Sequence, residues 1–222
     1  MTAAATPSAA TGPGELGAGQ RLFAGEWRFL GAASSMVTLP PPRGVELALA
    51  GRSNVGKSSL VNALTGRHAL ARVSHTPGRT QELIFFGTGD AWKLVDMPGY
   101  GYAKVSRSAV KGWTRLIEDY LKGRRELKRV FLLIDARHGL KANDRDTMKL
   151  MDESAVSYQG VLTKSDKPKL SELEATIAKT EAELAKHPAA YPRLLVTSAH
   201  DGLGIPELRA TIAGLTPNGV EP

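Results

Sequence analysis

The 222-residue sequence contains no cysteine, which excludes disulfide bonds and thiolate metal sites. It also lacks an apolar run long enough to cross a bilayer, since the longest stretches, such as residues 130–134, have the length of a strand. We therefore expect no membrane span and a cytoplasmic location. The composition is that of a globular protein, with 42% hydrophobic and 23% charged residues, and the length suffices for one sizeable core.

Lysine and arginine are absent from residues 1–20, which are rich in alanine, glycine, threonine and proline. This composition argues against a signal peptide or a transit peptide and predicts a disordered leader. The division that we expect is a leader at 1–20, one folded domain at 21–216 and a flexible tail at 217–222.

Short apolar runs alternate with segments of helical periodicity along most of the chain. Phe23, Trp27 and Leu30 recur at helical spacing and predict a short helix docked by its aromatic face, before prolines at 40–42 impose an extended connector. Strands are then predicted at 45–50, 83–86, 92–96, 130–135, 160–163 and 194–197, and helices at 57–64, 107–121, 144–153, 170–186 and 206–213. This alternation predicts an α/β fold with three layers, in which helices cover both faces of a mostly parallel six-stranded sheet.

Residues 51–58 match the G-x-x-x-x-G-K-[ST] pattern of a phosphate-binding loop, between a predicted strand and a predicted helix. In this setting the backbone N–H groups of the loop turn towards the phosphates of a nucleoside triphosphate, and the helix N-terminus adds favourable partial charge. Lys57 would reach the β- and γ-phosphates, and Ser58 would bind Mg²⁺. The residues of the motif are Gly51, Arg52, Ser53, Asn54, Val55, Gly56, Lys57 and Ser58.

A D-x-x-G motif, formed by Asp96, Met97, Pro98 and Gly99, directly follows another predicted strand. Asp96 would lie beside the phosphate-binding loop across the sheet and hold the magnesium ion. The N–H of Gly99 would approach the γ-phosphate, and a glycine can reorient when that phosphate leaves. Alone the motif could be a turn, but together with the phosphate-binding loop it predicts a nucleotide-dependent switch.

The segment between these two motifs, residues 76–81, contains two threonines that could bind Mg²⁺ while the γ-phosphate is present. Spacing alone does not choose between Thr76 and Thr80. A plain Pro-Gly turn is the alternative for this segment.

The base of the nucleotide would be selected by residues 163–166, at the end of a further predicted strand. The Asp166 carboxylate can accept hydrogen bonds from N1–H and the exocyclic amine of guanine, whereas adenine has an acceptor at N1 and no amine at C2. Since such paired bonds discriminate strongly, GTP and GDP are favoured over ATP. Lys164 would pack over the base plane, and the alternative is a solvated strand end. The site residues on this side are Thr163, Lys164, Ser165 and Asp166, with Thr197, Ser198 and Ala199 near the guanine carbonyl.

In this order the motifs resemble those of translation-factor-type P-loop GTPases, and more narrowly the EngB family of bacterial ribosome-assembly GTPases, also called YsxC or YihA. The residues that narrow the resemblance are 51–59, 76–81, 96–103 and 163–166, within a likeness over about 23–215. The resemblance implies that Thr80 is the switch threonine and joins Ser58 and Asp96 as a magnesium ligand. It places Lys57, Thr80 and Gly99 at the reacting phosphate, and the further nucleotide-binding residues are Ser59, Gly78, Arg79, Gln81 and Glu82.

The same resemblance implies a role in assembly of the large ribosomal subunit and a link to normal septation in cell division. We also expect the protein to be a monomer. Two positions depart from better-known GTPases. Thr163 stands where many have asparagine, which predicts modest nucleotide affinity. Tyr100 replaces the water-orienting glutamine and predicts slow unaided hydrolysis that a partner accelerates. In potassium-activated relatives the asparagine matching Asn54 helps to bind K⁺, which makes K⁺ a candidate second ion.

Most of the net charge of +7 lies between residues 104 and 129, where nine basic residues accompany three acidic ones. Arg107, Lys111 and Arg115 recur every four residues and share one face of a predicted helix. We expect this face to contact phosphates of ribosomal RNA in the large subunit or its precursor, and a solvated helix face is the alternative. Two alternative functions compete with a GTPase switch. One is a nucleotide-dependent RNA-binding adaptor whose hydrolysis is incidental, and the other is a P-loop kinase, although Asp166 disfavours the kinase.

Overall fold

A computed structural model describes residues 11–71, 82–100 and 107–215, with only the backbone described at 107–114. The strands are Arg28–Ala33 (β1), Val45–Gly51 (β2), Leu83–Thr88 (β3), Trp92–Asp96 (β4), Leu127–Asp135 (β5), Tyr158–Thr163 (β6) and Ala190–Val196 (β7). The α-helices are Pro13–Ala24 (α1), Lys57–Thr65 (α2), Arg107–Gly123 (α3), Ala142–Glu153 (α4), Leu170–Leu184 (α5) and Ile205–Ala213 (α6). A 3₁₀ turn lies at Met36–Thr38. None of the helices in these ranges combines the length and hydropathy needed to span a membrane.

The strands form one sheet in the order β1-β3-β4-β2-β5-β6-β7. Neighbours from β4 through β2, β5 and β6 to β7 pair in parallel, while β3 pairs antiparallel with both β1 and β4. Every residue of β2 and of β6 is buried, as expected for parallel strands covered on both faces. The carboxyl ends of five parallel strands therefore meet along one edge of the sheet.

Helices cover the sheet on both sides and divide the core in two. On one face Leu60 of α2 and Leu208 of α6 pack with Leu49 of the central strand. On the other face Tyr120 of α3 and Met148 of α4 pack in a second apolar cluster. Each such fully buried side chain contributes about 1.5–3 kcal/mol. The three-layer α/β fold is confirmed, with one strand more than the six predicted.

The additional strand is β1, and its absence from the sequence prediction has a physical cause. Four of its six residues are exposed, so β1 lacks an alternation of apolar and polar residues. The helix predicted through Phe23, Trp27 and Leu30 is wrong: α1 ends before Gly25, and Leu30 lies in β1. The aromatic pair at the start of that pattern is real, since the Phe23 and Trp27 rings stack with centroids 5.0 Å apart.

The predicted leader is also corrected, because residues 13–20 are helical. Helix α1 begins with Pro13, and the Glu15 carboxylate accepts a 2.7 Å hydrogen bond from the backbone N–H of Gly12. Gly19 lies against α6 so closely that an added Cβ would be 2.5 Å from the Ala210 nitrogen. Tertiary packing on α6 thus stabilises a segment whose composition resembles disorder. Residues 1–10 and 216–222 lie outside the described residues, so disorder there stays a prediction.

Candidate functional site

The phosphate-binding loop joins the carboxyl end of β2 to the first turn of α2. Gly51 fits a tight turn, since an added Cβ would lie 2.9 Å from Val55 Cγ1 and 3.0 Å from the Leu133 carbonyl oxygen. Further along, Asn54 has φ +63° and Gly56 has φ +111°, a left-handed conformation that favours glycine. These turns bring the loop back over the N-terminus of α2, where backbone N–H groups make an anion site.

Lys57 and Asp96 meet at this site from neighbouring elements. The Lys57 ammonium lies 3.9 Å from Asp96 Oδ1, and both side chains are mostly buried. Burial raises the pKa of the Asp96 carboxyl, while the charge of Lys57 opposes the change. Within the part of the chain that the structure describes, Asp96 Oδ1 is buried without a hydrogen-bond donor. A buried carboxylate oxygen in this state is suited to a divalent cation, and the site therefore fits Mg²⁺.

Other sequence-predicted ligands are placed only in part. Ser58 and Ser59 lie in the first turn of α2, where Ser58 is partly exposed. Glu82 directly precedes β3. The remaining residues of the predicted switch segment lie outside the described residues, and their roles stay predictions; they are Thr76, Gly78, Arg79, Thr80 and Gln81.

The D-x-x-G segment runs alongside the phosphate-binding loop. Arg52 and Tyr100 form a parallel β-bridge beyond the ends of their strands. The N–H of Ser53 donates a 3.1 Å hydrogen bond to the Tyr100 carbonyl, and the N–H of Tyr100 donates one of 3.4 Å to Gly51. A Cβ on Gly99 would lie 3.0 Å from Ser53 Oγ and 3.1 Å from its nitrogen. The close approach of the two segments therefore favours glycine at position 99.

The side chain of Tyr100 points to helix α4. Its hydroxyl donates a 2.9 Å hydrogen bond to Asp144 Oδ1, and Asp144 Oδ2 lies 3.2 Å from Arg52 Nε. Burial, followed by the Asp144 carboxylate, raises the pKa of the Tyr100 phenol well above its ordinary value. The phenol is therefore protonated and engaged. The sequence did not single out Asp144, since an aspartate in the first turn of a helix is indistinguishable from an ordinary cap.

Two contacts join Lys164 to the rest of the site. Its ammonium donates hydrogen bonds of 2.6 Å to the Asn54 carbonyl and 3.0 Å to Asp135 Oδ2. Arg137 donates two more to the Asp135 carboxylate, at 2.9 and 2.7 Å. Burial would raise the pKa of Asp135, but the bonds from Arg137 and Lys164 outweigh it and lower that pKa. Asp135 and Arg137 were missed by sequence reasoning, although an aspartate ending a buried strand was a usable signal.

Thr163 and Asp166 lie on either side of Lys164. The Thr163 hydroxyl donates a 2.7 Å hydrogen bond to the Val55 carbonyl in the phosphate-binding loop. Asp166 Oδ1 accepts a 2.8 Å bond from the Ser198 hydroxyl, and Oδ2 lies 2.9 Å from the Lys167 ammonium. Lys167 first, and then Ser198, lowers the pKa of Asp166. Asp166 is thus an anionic acceptor at neutral pH.

The segment after β7 closes the same pocket edge. The N–H of Ser165 donates a 3.2 Å hydrogen bond to the Thr197 carbonyl. Thr197 and Ser198 are buried, while Ala199 is partly exposed. The structure thus gathers the phosphate loop, the D-x-x-G segment, residues 163–166 and residues 197–199 at one sheet edge. Such an edge can hold an anion at Lys57, a cation at Asp96 and a hydrogen-bonding base at Asp166.

Comparison with known proteins gives matches over most of the chain. Residues 46–164 match a family described as 50S ribosome-binding GTPase. A protein of Rhodopseudomonas palustris strain BisB5, named probable GTP-binding protein EngB, is 61% identical over 199 residues, which cover 89% of this chain and 92% of that protein. A protein of the same name from Bradyrhizobium diazoefficiens is 62% identical over 201 residues, with coverage of 89% and 92%.

Solved structures share the fold at lower identity. A crystal structure of a probable GTP-binding protein engB has a TM-score of 0.59 and 23% identity, covering 77% of this chain and 98% of that chain. A crystal structure of an Era variant from Aquifex aeolicus bound to GDP·AlF₄⁻ has a TM-score of 0.64 and 24% identity, covering 80% of this chain and 58% of that chain. These two likenesses support the fold alone.

Proposed function

The chain belongs to the EngB family of GTP-binding proteins and is a P-loop GTPase, and from this premise we propose that it is a GTP-driven switch in assembly of the large ribosomal subunit. One observation carries the guanine-nucleotide part. Thr163 and Lys164 both bond to backbone carbonyls of the phosphate-binding loop, which supports Asp166, two residues further on, as the residue that meets the base. The ribosomal part is supported by the match to the 50S ribosome-binding family. A link to septation rests on the family resemblance only.

At the phosphate end of the site we propose distinct tasks for four side chains. Lys57 would neutralise the β- and γ-phosphate oxygens, and Ser58 and Asp96 would hold Mg²⁺ together with Thr80. When bound, the ion offsets the charge that develops on the phosphates. The buried Asp96 oxygen without a donor supports this assignment. The N–H of Gly99 would meet the γ-phosphate and release it after hydrolysis, which makes the segment a sensor.

We propose that unaided hydrolysis is slow. Tyr100 occupies the sequence position where other GTPases have a glutamine that orients water. Its hydroxyl donates a hydrogen bond to Asp144 instead. The expected rate is of the order of 10⁻⁴ to 10⁻³ per second, as for an unstimulated switch GTPase. A single-turnover measurement on the isolated protein tests this, and a rate above roughly one per second would contradict it.

Potassium is proposed as an additional cation at Asn54. The residue is exposed, and its backbone carbonyl is held by Lys164, so the side chain stands on a fixed part of the loop. A bound K⁺ would add positive charge beside the phosphates, in place of an arginine finger. Hydrolysis should then be faster in KCl than in NaCl, and Asn54→Ala should remove the difference. Equal rates in the two salts would reject the proposal.

Helix α3 is the surface that we propose for ribosomal RNA. It follows the D-x-x-G segment in the chain, so a conformational change at Gly99 would occur only a few residues before the helix begins. Arg115 is 85% exposed, while the side chains of Arg107 and Lys111 lie outside the described part of the structure. Basic side chains on one helix face bind phosphates without sequence preference. The protein would act in this way as a cytoplasmic monomer.

Sedimentation of cell extract with GTP, GDP or a non-hydrolysable GTP analogue tests the ribosomal role. We expect the protein to travel with large-subunit particles in the presence of the analogue and to be released with GDP. Lys57→Ala should abolish the nucleotide dependence, whereas Lys149→Ala, a change on the exposed surface of α4, should not. If the Lys57→Ala variant co-sediments with the particles as the wild-type protein does, the result would favour the alternative of an RNA-binding adaptor. Failure to co-sediment with any nucleotide would contradict a ribosomal partner.

A further inference from the structure

Asp144 in α4 lies where three separate segments meet. Its side chain is completely buried. Oδ1 accepts the 2.9 Å hydrogen bond from the Tyr100 hydroxyl, and Oδ2 accepts a 2.8 Å bond from the backbone N–H of Lys141. Oδ2 also lies 3.2 Å from Arg52 Nε in the phosphate-binding loop. One carboxylate therefore contacts both the nucleotide loop and the segment that senses the γ-phosphate.

This carboxylate compensates a charge that has few other partners. Arg52 Nε and Nη2 are buried and make no hydrogen bond with the residues that the structure describes. Guanidinium nitrogens buried in this state are costly unless an anion is near. Since buried ion pairs add little to stability compared with apolar packing, stability alone is a weak reason for this cluster. A better reason for the cluster is that it fixes the positions of Arg52, Tyr100 and Asp144 relative to one another.

A second link joins the same two segments through the backbone. Arg52 and Tyr100 form the β-bridge beyond their strands, with the 3.1 Å bond from the Ser53 N–H to the Tyr100 carbonyl. Gly99, between β4 and Tyr100, lies so close to Ser53 that an added Cβ would require Ser53 to shift by a few tenths of an ångström. The side-chain link through Asp144 and the backbone link thus hold the peptide that precedes Tyr100 from two directions.

We propose that Asp144 is a positioning residue for GTP: by holding Tyr100 and Arg52 together, it keeps Gly99 where its N–H meets the γ-phosphate. The proposal rests on the switch function proposed above. Because GDP has no γ-phosphate, loss of this contact weakens binding of a GTP analogue and slows hydrolysis while GDP binding is preserved. A residue that only stabilises the fold would affect both nucleotides alike.

Tyr100→Phe removes the phenol of this link and leaves the ring in place. The matched control is Tyr120→Phe, since the Tyr120 hydroxyl also lies against a buried carboxylate, 3.2 Å from Glu46 Oε2. Glu46 is at the start of β2, the end of the strand opposite the nucleotide loop. Both variants lose one hydrogen bond to a buried carboxylate, but only the first lies at the site.

Affinities for GDP and for a non-hydrolysable GTP analogue, and the single-turnover hydrolysis rate, are compared for wild type and the two variants. Tyr100→Phe should weaken analogue binding and slow hydrolysis about tenfold, the size expected for one such hydrogen bond, with GDP affinity within about twofold. Tyr120→Phe should leave the ratio of the two affinities at the wild-type value. Equal ratios in all three proteins would overturn the proposal.

Asp144→Asn tests the carboxylate itself. If Asp144 acts through Tyr100, this variant should lower the analogue-to-GDP affinity ratio, and the double variant with Tyr100→Phe should show less than the sum of the two effects. Additive effects would overturn the proposal. If the wild-type protein hydrolyses GTP and Tyr100→Phe has the same rate and the same affinities, only the positioning role is overturned. Wild-type protein with no response to the γ-phosphate would overturn the switch function as well.

Discussion

The hydroxyl of Thr163 donates a 2.7 Å hydrogen bond to the backbone carbonyl of Val55, across 108 positions of the chain. Both residues are buried. The bond joins the segment that we propose to recognise the base to the phosphate-binding loop, and a hydroxyl at position 163 is sufficient for it. Thr163 therefore makes a structural link from the position where many GTPases have asparagine, and this link holds the two segments relative to each other.

Thr163→Val should weaken binding of GTP and GDP to a similar extent. Valine has nearly the same shape but leaves the Val55 carbonyl buried without this donor, which costs about 1–3 kcal/mol and corresponds to roughly 5- to 150-fold in affinity. Thr163→Ser retains the hydroxyl and is the control. Titration with fluorescent nucleotides measures the GTP and GDP affinities of both variants. A valine variant with wild-type affinity would show that the link has no role in binding.

Asp166→Asn should transfer base preference from guanine to xanthine. The amide of asparagine can donate to the C2 carbonyl of xanthine, whereas it meets the C2 amine of guanine with a second donor. We expect at least a tenfold loss in GTP affinity and a gain for xanthosine triphosphate. Competition binding measures the exchange. Asp201→Asn, a nearby exposed acidic position, is the control, and an equal change there would indicate a general charge effect.

Asp135→Asn should destabilise the protein in a manner that depends on pH. The bonds from Arg137 and Lys164 lower the pKa of Asp135 against the effect of burial, so its charge stabilises the fold above the ordinary aspartate pKa of about 3.9. That contribution is lost as the pH falls below this value. At pH 7 the variant should unfold at least about 2 °C below wild type, and the gap should narrow below about pH 4.

Thermal unfolding between pH 3 and pH 7 measures this difference. Asp90→Asn is the control, since its ion pair with Arg43 is highly exposed and such pairs contribute little. A gap for Asp135→Asn that stays constant over the whole range would show that its charge is not responsible.

Charge reversal at Arg107 or Lys111 should weaken binding to large-subunit particles and reduce its dependence on salt. Each phosphate contact that is lost lowers the slope of log affinity against log salt by about one. Binding measured across a series of KCl concentrations gives this slope. Lys149→Glu, on exposed α4, should leave it unchanged, and equal slopes for all proteins would favour a solvated face on α3.

The sequence predicted the central fold well because its parallel strands are buried on both faces and stand out as apolar runs. Residues 92–96 were predicted with the bounds that the structure has, and the helix after Gly56 begins at the predicted Lys57. Motifs with fixed spacing, such as 51–58 and 163–166, follow parallel strands, which is why the sequence could predict that they share one sheet edge. The strand β1 escaped because an exposed edge strand has no comparable pattern.

Residues that act by contact across the sheet were outside the reach of sequence patterns. Asp135 and Asp144 follow no spacing rule relative to Lys164 or Tyr100, because the fold alone brings them within 3.0 Å and 2.9 Å. For the same reason Tyr100 was identified as a replacement for glutamine, while the direction of its side chain was not foreseen.

The packing of α1 on α6 has a consequence for synthesis of the chain. Of the described elements, α1 leaves the translating ribosome first and α6 last, yet Gly19 of one lies directly against Ala210 of the other. Contacts between such distant positions form late because the intervening loop must be closed. Helix α1 therefore lacks its main tertiary support until nearly the whole domain has emerged, and it is stabilised only when α6, the last of these helices to be synthesised, packs against it.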